Sequence, residues 1–278
     1  MRVLEKCGLC DSGRIELLHN HGISEKGGET LNFNNFICKD CGFVFLNPQP
    51  GAEDYVAIYQ KYEYERHSCN SKEEAEKLMD NFSDEKAEQV YSFIKEYLGQ
   101  EKKILDIGCG FGQVSFGLKD KFGCNVFAVE PSKILSEIIG ERGINVFCGT
   151  FDDFLKNNQE KFNVVVMHHV FEHFIDPLNK LEQFKNILCP QGVVYMEVPD
   201  VSSFKKPVDQ FFDYMHPYSY SPKTLRDASD RARFKIIKVN EEKRYRLQTI
   251  MASQESDYAG LAQNDFWQRG SYKSIARY

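Results

Sequence analysis

A doubly wound α/β fold with a mostly parallel seven-stranded sheet, preceded by a small cysteine-clamped piece, is what this sequence predicts. Three observations carry the prediction. From Lys103 to about residue 239, short Val/Ile/Phe runs alternate with helical stretches, the pattern of parallel strands covered on both faces. The first run breaks at once into glycines on alternate positions, in Lys103 to Gly112, KILDIGCGFG. The last two runs, Phe234 to Val239 and Tyr245 to Ala252, are separated by too few residues for a crossover helix and must form an antiparallel hairpin.

Composition bounds the rest. A chain of 278 residues has room for one large domain, or a medium one with a smaller attachment. The net charge of -6 argues against a nucleic-acid surface. Lys235, Lys238, Lys243, Arg244 and Arg246 are read as solvated strand edges. The opening MRVLEKCGLC lacks the apolar core of a signal peptide, and no apolar stretch approaches the ~18 residues that span a bilayer. A soluble, cytoplasmic protein without membrane contact is expected.

Taken in order, the chain begins with Cys7-Gly-Leu-Cys10 and Cys38-Lys-Asp-Cys41, two CxxC units with 27 residues between them. Each puts two thiolates on one tight turn, and two such turns supply the four sulfur ligands of tetrahedral Zn²⁺. The residues between, Ile15 to Phe36, read as a hairpin with Gly27-Gly28 as its loop, so residues 1–50 are expected to be a structural zinc ribbon. Cys69, Cys109, Cys124, Cys148 and Cys189 stand singly and read as reduced packing residues. The proline-punctuated stretch Leu46 to Gly51 should end the ribbon.

Residues 51–100 are expected to form a helical connector or lid. Tyr55, Tyr59, Tyr62 and Tyr64 would pack on the main domain or cover its ligand. Residues 71–81 are polar, and Phe82 to Leu98 has helical apolar spacing that Gly99 stops. Strands are then expected at Lys103 to Ile107, Asn125 to Val129, Asn145 to Phe147, Phe162 to Met167 and Val193 to Val198, ahead of the terminal hairpin. Residues 101–252 form this sheet domain. Residues 253–278, which hold the only Trp, are a tail on the core or a dimer contact.

A strand, a glycine turn and a helix let bare backbone N–H groups lie close against a ligand. The third glycine of a dinucleotide fingerprint would fall on Gln113, so the motif is GxGxG, with Asp106 before it and Glu130 24 residues past Asp106. This resembles the first motif of class I S-adenosylmethionine-dependent methyltransferases, whose sheet also has five parallel strands and a terminal hairpin. The resemblance implies that Asp106, Gly108, Cys109, Gly110 and Gly112 hold the methionine part of the cofactor. It also implies that Glu130, followed by Pro131, accepts from both ribose hydroxyls. Phe151 would face the adenine and Asp152 its amino group, with Asp153 an alternative helix cap. His168 lies at the cofactor mouth.

HHVFEHFIDP, residues 168–177, looks like the "vleHv.dP" stretch of many small-molecule methyltransferases, where the histidine equivalent to His173 often fixes the loop. A metal site on His168, His169 and His173 is disfavoured, because adjacent histidines on one strand end point apart and no carboxylate completes it. Glu197 and Asp200 fall on the substrate side. The loop Val201 to Ser221 resembles the "EHlsyfS..tL" element of methyltransferases that carry a zinc knuckle and modify sugar nucleotides at carbon, nitrogen or oxygen. His216 keeps the histidine, while Met215 replaces the glutamate. That weakens proton abstraction from carbon and leaves O- or N-methylation.

The expected catalytic set is His216 as general base with Tyr218 and His173. The implied acceptor is a small carbohydrate, such as a nucleotide-linked sugar or a surface-polysaccharide precursor. Two other readings stand beside it: a methyltransferase to which the ribbon recruits RNA or protein, and a non-catalytic cofactor-binding protein.

Overall fold

In the computed structural model, the residues described are 1–26, 29–51, 54–55, 71–203, 208–212, 214–240, 246–258 and 275–276. The N-terminal strands β1 (Ile15–Lys26) and β2 (Glu29–Cys38) form an antiparallel hairpin in which Ile15 faces Cys38. The loop glycines expected at Gly27 and Gly28 lie outside the described residues. β3 (Val44–Leu46) adds to β2 with Asn35 opposite Leu46.

The stretch after β3 differs from the expected linker. Asn47 is buried, accepting the Leu4 N–H and donating to the Leu4 carbonyl, both at 2.9 Å. Arg2 and Gln49 exchange backbone hydrogen bonds, and the Asn47–Pro48 bond is cis. Turn-forming residues here stitch the ribbon's edge to its own N-terminus, since buried backbone groups must find partners.

Helix α1 (Lys72–Asp80) follows, capped by Ser71, whose hydroxyl accepts from Glu74 N–H. α2 (Glu85–Ile94) then runs into a 3₁₀ turn over Lys95–Tyr97. The expected helix therefore forms, but its first turn is given up to the connection at 82–84. Tyr55 donates to the Tyr214 carbonyl at 3.2 Å, while Tyr59, Tyr62 and Tyr64 lie outside the described residues.

The second sheet is built by β4 (Lys103–Ile107), α3 (Gln113–Asp120), β5 (Asn125–Glu130), α4 (Lys133–Glu141), β6 (Asn145–Cys148), α5 (Phe151–Asn157), β7 (Phe162–His168), α6 (Pro177–Phe184) and β8 (Leu188–Pro199). After α7 (Val208–Phe211), β9 (Tyr218–Ser219) and α8 (Pro222–Arg231), the hairpin of β10 (Phe234–Val239) and β11 (Arg246–Ser253) completes it. The order is β10-β11-β8-β7-β4-β5-β6, with β11 antiparallel to both β10 and β8 and the remaining pairs parallel. This is the expected doubly wound sheet of seven strands.

The central strands are fully buried, as their unbroken apolar runs require: Ile104, Leu105, Val164 to Met167 and Val193 to Met196 have no exposed surface. β9 is the unexpected element. It pairs with β3, Phe45 opposite Tyr218, so the ribbon sheet takes its fourth strand from the aromatic loop. Of the tail, Tyr258 packs edge-on against Tyr97, and Trp267 lies outside the described residues. Among the described residues no helix is long and apolar enough to cross a membrane. Lys235, Lys238 and Arg246 are paired with Asp230, Glu96 and Glu197, as ordinary strand-edge cations. Cys124 is buried as expected of a packing residue, whereas Cys148 is exposed.

Two local constraints set the stability of this core. At Gly117 of α3, a Cβ would come within 2.3 Å of the Ala87 Cβ of α2, so only glycine allows the two helices to approach. Asp106 brings an acid into buried β4, where burial pushes its pKa up to about 7 despite the Ser115 hydroxyl donating to it at 2.6 Å.

Gly117→Val should therefore cost about 1–3 kcal/mol through overpacking, read as a fall in urea midpoint at unchanged slope. A raised folded-state pKa at Asp106 stabilises the protein fully below its unfolded value of 3.8, and that contribution is lost as pH rises through about 7. Stability measured across that window should fall with pH, and Asp106→Asn should flatten the fall. A parallel slope in the variant would show that Asp106 is not its source.

Candidate active site

β4 ends in a loop whose shape is fixed by glycines. Gly108 and Cys109 both donate backbone N–H to the Val129 carbonyl, and Gly112 donates to Cys109. Gly108, Gly110 and Gly112 have φ of 65°, 54° and 73°, the left-handed region. Their surroundings differ. A Cβ at Gly108 would meet Val170 at 2.7 Å and one at Gly112 would meet Phe116 at 2.8 Å, but at Gly110 nothing lies within 4 Å. The outer glycines pack the loop down, and the middle one opens on empty space at the strand end.

Glu130, the last residue of β5, sits under that opening and is 2% exposed. Its Oε2 accepts the Gly110 N–H and its Oε1 the Ser132 N–H, each at 2.8 Å. Burial pushes its pKa up against those two donors. Pro131 and Ser132 then lead into α4, with Ser132 as its cap. Asp106, the glycine loop and Glu130 are thus brought together at the C-terminal ends of β4 and β5.

The residues after β6 are placed otherwise than expected. Thr150 caps α5, accepting the Asp153 N–H while its hydroxyl donates to Asp153 Oδ2 at 2.7 Å. Phe151 is buried against Phe184 and Phe174, with ring centroids 5.3 and 6.1 Å away, so its ring belongs to the core and not to the cleft. Asp152 is exposed and its carboxylate is paired with Lys180 of α6.

β7 delivers the histidines. His169 adopts φ 58°, and its backbone N–H donates to the Glu197 carbonyl at 2.9 Å. That left-handed step breaks the alternation of the strand, and the rings of His168 and His169 come edge to face at 4.9 Å. Adjacent histidines therefore do not point apart here, and carboxylates do stand beside them. Glu197 of β8 is 1% exposed, and it receives Arg246 Nη1 at 3.1 Å, the Tyr195 hydroxyl at 3.1 Å and the Gln248 amide. His169 bridges two acids, with Nδ1 3.3 Å from Glu172 and Nε2 3.3 Å from Glu197. Burial would lower its pKa, but the two carboxylates outweigh burial and hold it up at about 9. His168, 3.5 Å from Glu197, is pushed by burial down to about 4.

Glu172 and His173 lie on the 3₁₀ turn Phe171–His173 that follows. Burial works to raise the Glu172 pKa, yet His169, His173 and His216 around it hold it down at about 2. His173 Nδ1 donates to the Met215 carbonyl at 2.9 Å, and its ring lies 4.7 Å from that of His216. One ligating atom from each of Glu172, His173 and His216 falls within 4.8 Å of the others. His216 and His173 are therefore brought together as expected. The acid beside them, missing at Met215, comes instead from Glu172. That residue stands directly before His173 in the sequence, but nothing local says which way a turn aims it.

Tyr218 is a correction. Its hydroxyl donates to the Ile175 carbonyl at 3.0 Å and its ring stacks on Phe43 at 5.2 Å, so it serves packing between the two sheets. Asp200, 3% exposed, accepts from the Ser202 N–H and hydroxyl and fixes the turn after β8.

At the far end of the ribbon, Cys7 Sγ lies 3.6 Å from Cys41 Sγ and Cys10 Sγ 3.5 Å from Cys38 Sγ. All four sulfurs fall within 4.8 Å of one another. These separations are far beyond a disulfide's ~2.05 Å. They are close to the edge of roughly 3.8 Å for a tetrahedron with metal–sulfur bonds of ~2.3 Å. A four-thiolate clamp is the arrangement they make.

Residues 79–239, more than half of the chain, match a family model described as a methyltransferase domain. The chain is 34% identical over 104 residues to the ubiquinone biosynthesis O-methyltransferase of Actinobacillus pleuropneumoniae serotype 7 (strain AP76), covering 34% of this chain and 44% of that one. It is 26% identical over 186 residues to the glycine/sarcosine/dimethylglycine N-methyltransferase of Actinopolyspora halophila, covering 61% of this chain and 33% of that one. The chain thus spans less than half the length of these curated relatives. In fold it is similar to the 1,6-didemethyltoxoflavin-N1-methyltransferase of Burkholderia thailandensis, with a TM-score of 0.54 at 14% identity over 78% of this chain and 97% of that one. On the extent of the family match and the seven-stranded sheet that carries it, the chain belongs to the methyltransferase-domain family.

Proposed function

We propose that this protein transfers a methyl group from S-adenosylmethionine to a small acceptor at an oxygen or nitrogen atom. The observation that carries the reading is the open space over Gly110 directly above the buried carboxylate of Glu130. A ligand can approach the backbone there without meeting a side chain, and Glu130 offers two acceptor oxygens suited to a ribose diol. Asp106 and the loop at Gly108, Cys109 and Gly112 would hold the amino-acid end.

S-adenosylmethionine, when bound, supplies a methyl group already activated on a sulfonium. The protein's task is to orient the acceptor and exclude water. An acceptor with a proton to lose finds the imidazole of His216 beside Glu172 and His173 near the end of β7, a group of the kind that takes such a proton. Tyr218 is outside this set.

The acceptor is read as a small molecule. A carbohydrate, such as a nucleotide-linked sugar, is supported by the resemblance of the loop around His216. The relatives bear the names of a ubiquinone biosynthesis O-methyltransferase and a glycine/sarcosine/dimethylglycine N-methyltransferase, which support transfer to an oxygen or a nitrogen of a small molecule. The four-sulfur clamp fits structural Zn²⁺, with no place left for a reacting ligand. A hairpin of this size has little core of its own, and metal binding would supply folding free energy.

Labelled methyl transfer should appear with at least one member of a panel of nucleotide sugars, phenols and amines. Tight cofactor binding with no turnover on any of them would favour a non-catalytic role. Glu130→Ala should weaken cofactor binding roughly tenfold or more by calorimetry, in line with a lost charge-assisted pair of hydrogen bonds. An unchanged affinity would refute the ribose role. Elemental analysis should find zinc bound by Cys7, Cys10, Cys38 and Cys41, and Cys38→Ser should remove it; zinc retained in that variant would exclude the clamp.

A further inference from the structure

Glu197 presents one carboxylate oxygen to two histidines at once. β7 and β8 pair with His168 opposite Glu197, and the left-handed step at His169 brings the second ring round to the same carboxylate. His168 Nε2 lies 3.5 Å and His169 Nε2 3.3 Å from Glu197 Oε1. One ligating atom from each of the three residues falls within 4.8 Å of the others. The two reasons that the sequence offers against an ion on these histidines, rings that point apart and a missing carboxylate, are both removed.

The contacts of His169 show what belongs between these atoms. An ionised carboxylate can only accept, so the approach of Nδ1 to Glu172 Oε1 at 3.3 Å places a proton on Nδ1. Nε2 then turns its lone pair toward Glu197, and a cation, either a second proton or a metal ion, has to stand between them. A proton on Nε2 serves His169 alone, and a charge-assisted hydrogen bond closes to about 2.7–2.9 Å, shorter than either contact with Glu197 Oε1. One metal ion serves both histidines. Donors around a tetrahedral ion with bonds of about 2.0–2.1 Å stand roughly 3.3–3.4 Å apart, close to the two separations found here. The carboxylate is also held for the task. The Tyr195 hydroxyl at 3.1 Å and the Gln248 amide fix Oε2, while Arg246 Nη1, at 3.1 Å, uses one lone pair of Oε1 and leaves the other. Glu172 stands where an outer carboxylate orients a metal-ligating imidazole.

The geometry points to a site for a divalent first-row transition ion, of the zinc or iron type, on His168 Nε2, His169 Nε2 and Glu197 Oε1. Two imidazoles and one carboxylate suit these ions better than calcium or magnesium, which prefer oxygen alone. Three protein donors leave at least one coordination position open. The histidine side chains are 15% and 32% exposed and the Glu197 side chain 1%, so the open position faces outward from the strand ends. Val170, the next residue, packs on Gly108, which puts this face on the side of the glycine loop. A ligand with a hydroxyl or carboxylate oxygen is the class that the ion would take there. The site goes beyond the methyl-transfer reading, because it assigns a metal ion and its oxygen ligand whether or not a methyl group is transferred.

The test is a Co²⁺ titration of the full chain under reducing conditions, followed by absorption, in which a thiolate charge-transfer band marks any cobalt on the cysteine clamp. The expected result is one further saturable Co²⁺ per chain, with visible ligand-field bands and no thiolate band of its own. His168→Ala should weaken that binding by more than the roughly 10–100-fold that an outer-shell change brings. His169→Asn, whose side chain tolerates a left-handed backbone, should do the same. Circular dichroism and the melting profile show whether each variant is folded, and His168→Ala, at an ordinary strand position, carries the test if His169→Asn is not. Cobalt taken up by the unaltered protein with thiolate bands alone would overturn the site, as would nitrogen/oxygen bands unchanged in either folded variant. The readout needs no turnover, so a cobalt site lost in the variants of a protein that methylates nothing would support this site and count against methyl transfer.

Discussion

The pairing of β4 with β7 is the constraint on which the rest depends. Ile104, Leu105 and Asp106 lie beside Val164, Val165 and Val166, while the chain between them has run outward through β5 and β6. The strand order therefore reverses at this pair, and the loops after β4 and β7 leave the sheet in opposite directions. A crevice at the strand ends follows from topology alone. Gly108 and Val170 meet across it, which explains why the first glycine is packed while Gly110 is left facing open space.

The chemistry of the site rests on three buried carboxylates, each handled differently. Glu130 is satisfied by backbone N–H groups of the loop it supports. Glu197 is held by Arg246, Tyr195, Gln248 and the two histidines, and its pKa is well below the ordinary carboxylate value, since those donors overcome a burial that acts to raise it. Glu172 is half satisfied. A charge removed from water is tolerable where donors replace the lost solvent, and the three cases run from complete to incomplete replacement. The incomplete case is the one nearest His173 and His216.

Much of the fold was legible in the sequence because period and length carry it. Each of β4, β5, β6 and β7 carries a short apolar run, and the close spacing of β10 and β11 could mean only a hairpin. β8 begins five residues before the expected Val193, since Pro190 and Gly192 look like breaks until its pairing with β7 is known. β9, two residues long, has no periodicity to find. At the site, the glycine loop and Glu130 were legible because a backbone turn is a local property. Phe151, Tyr218 and Glu172 were not, because their roles depend on which way a side chain is aimed. Tyr218 stacks on Phe43, a partner that only the folded sheet brings near, and Glu172 gains its meaning from His216 on another loop. At His169 the rule of alternating side chains fails, because a left-handed residue at a strand end reverses it.

The β3–β9 pairing has a consequence for the order in which this protein takes shape. Phe45 and Tyr218 are partners in one sheet although most of the chain lies between them. A growing chain leaves the ribosome N-terminus first, and a contact between distant positions waits for both to be present. The cysteine-bearing hairpin is thus made well before β9, and its sheet acquires its last strand only after β8 has emerged. During synthesis the β3 edge remains an unpaired row of backbone groups, and its closure by β9 also sets His216 beside His173.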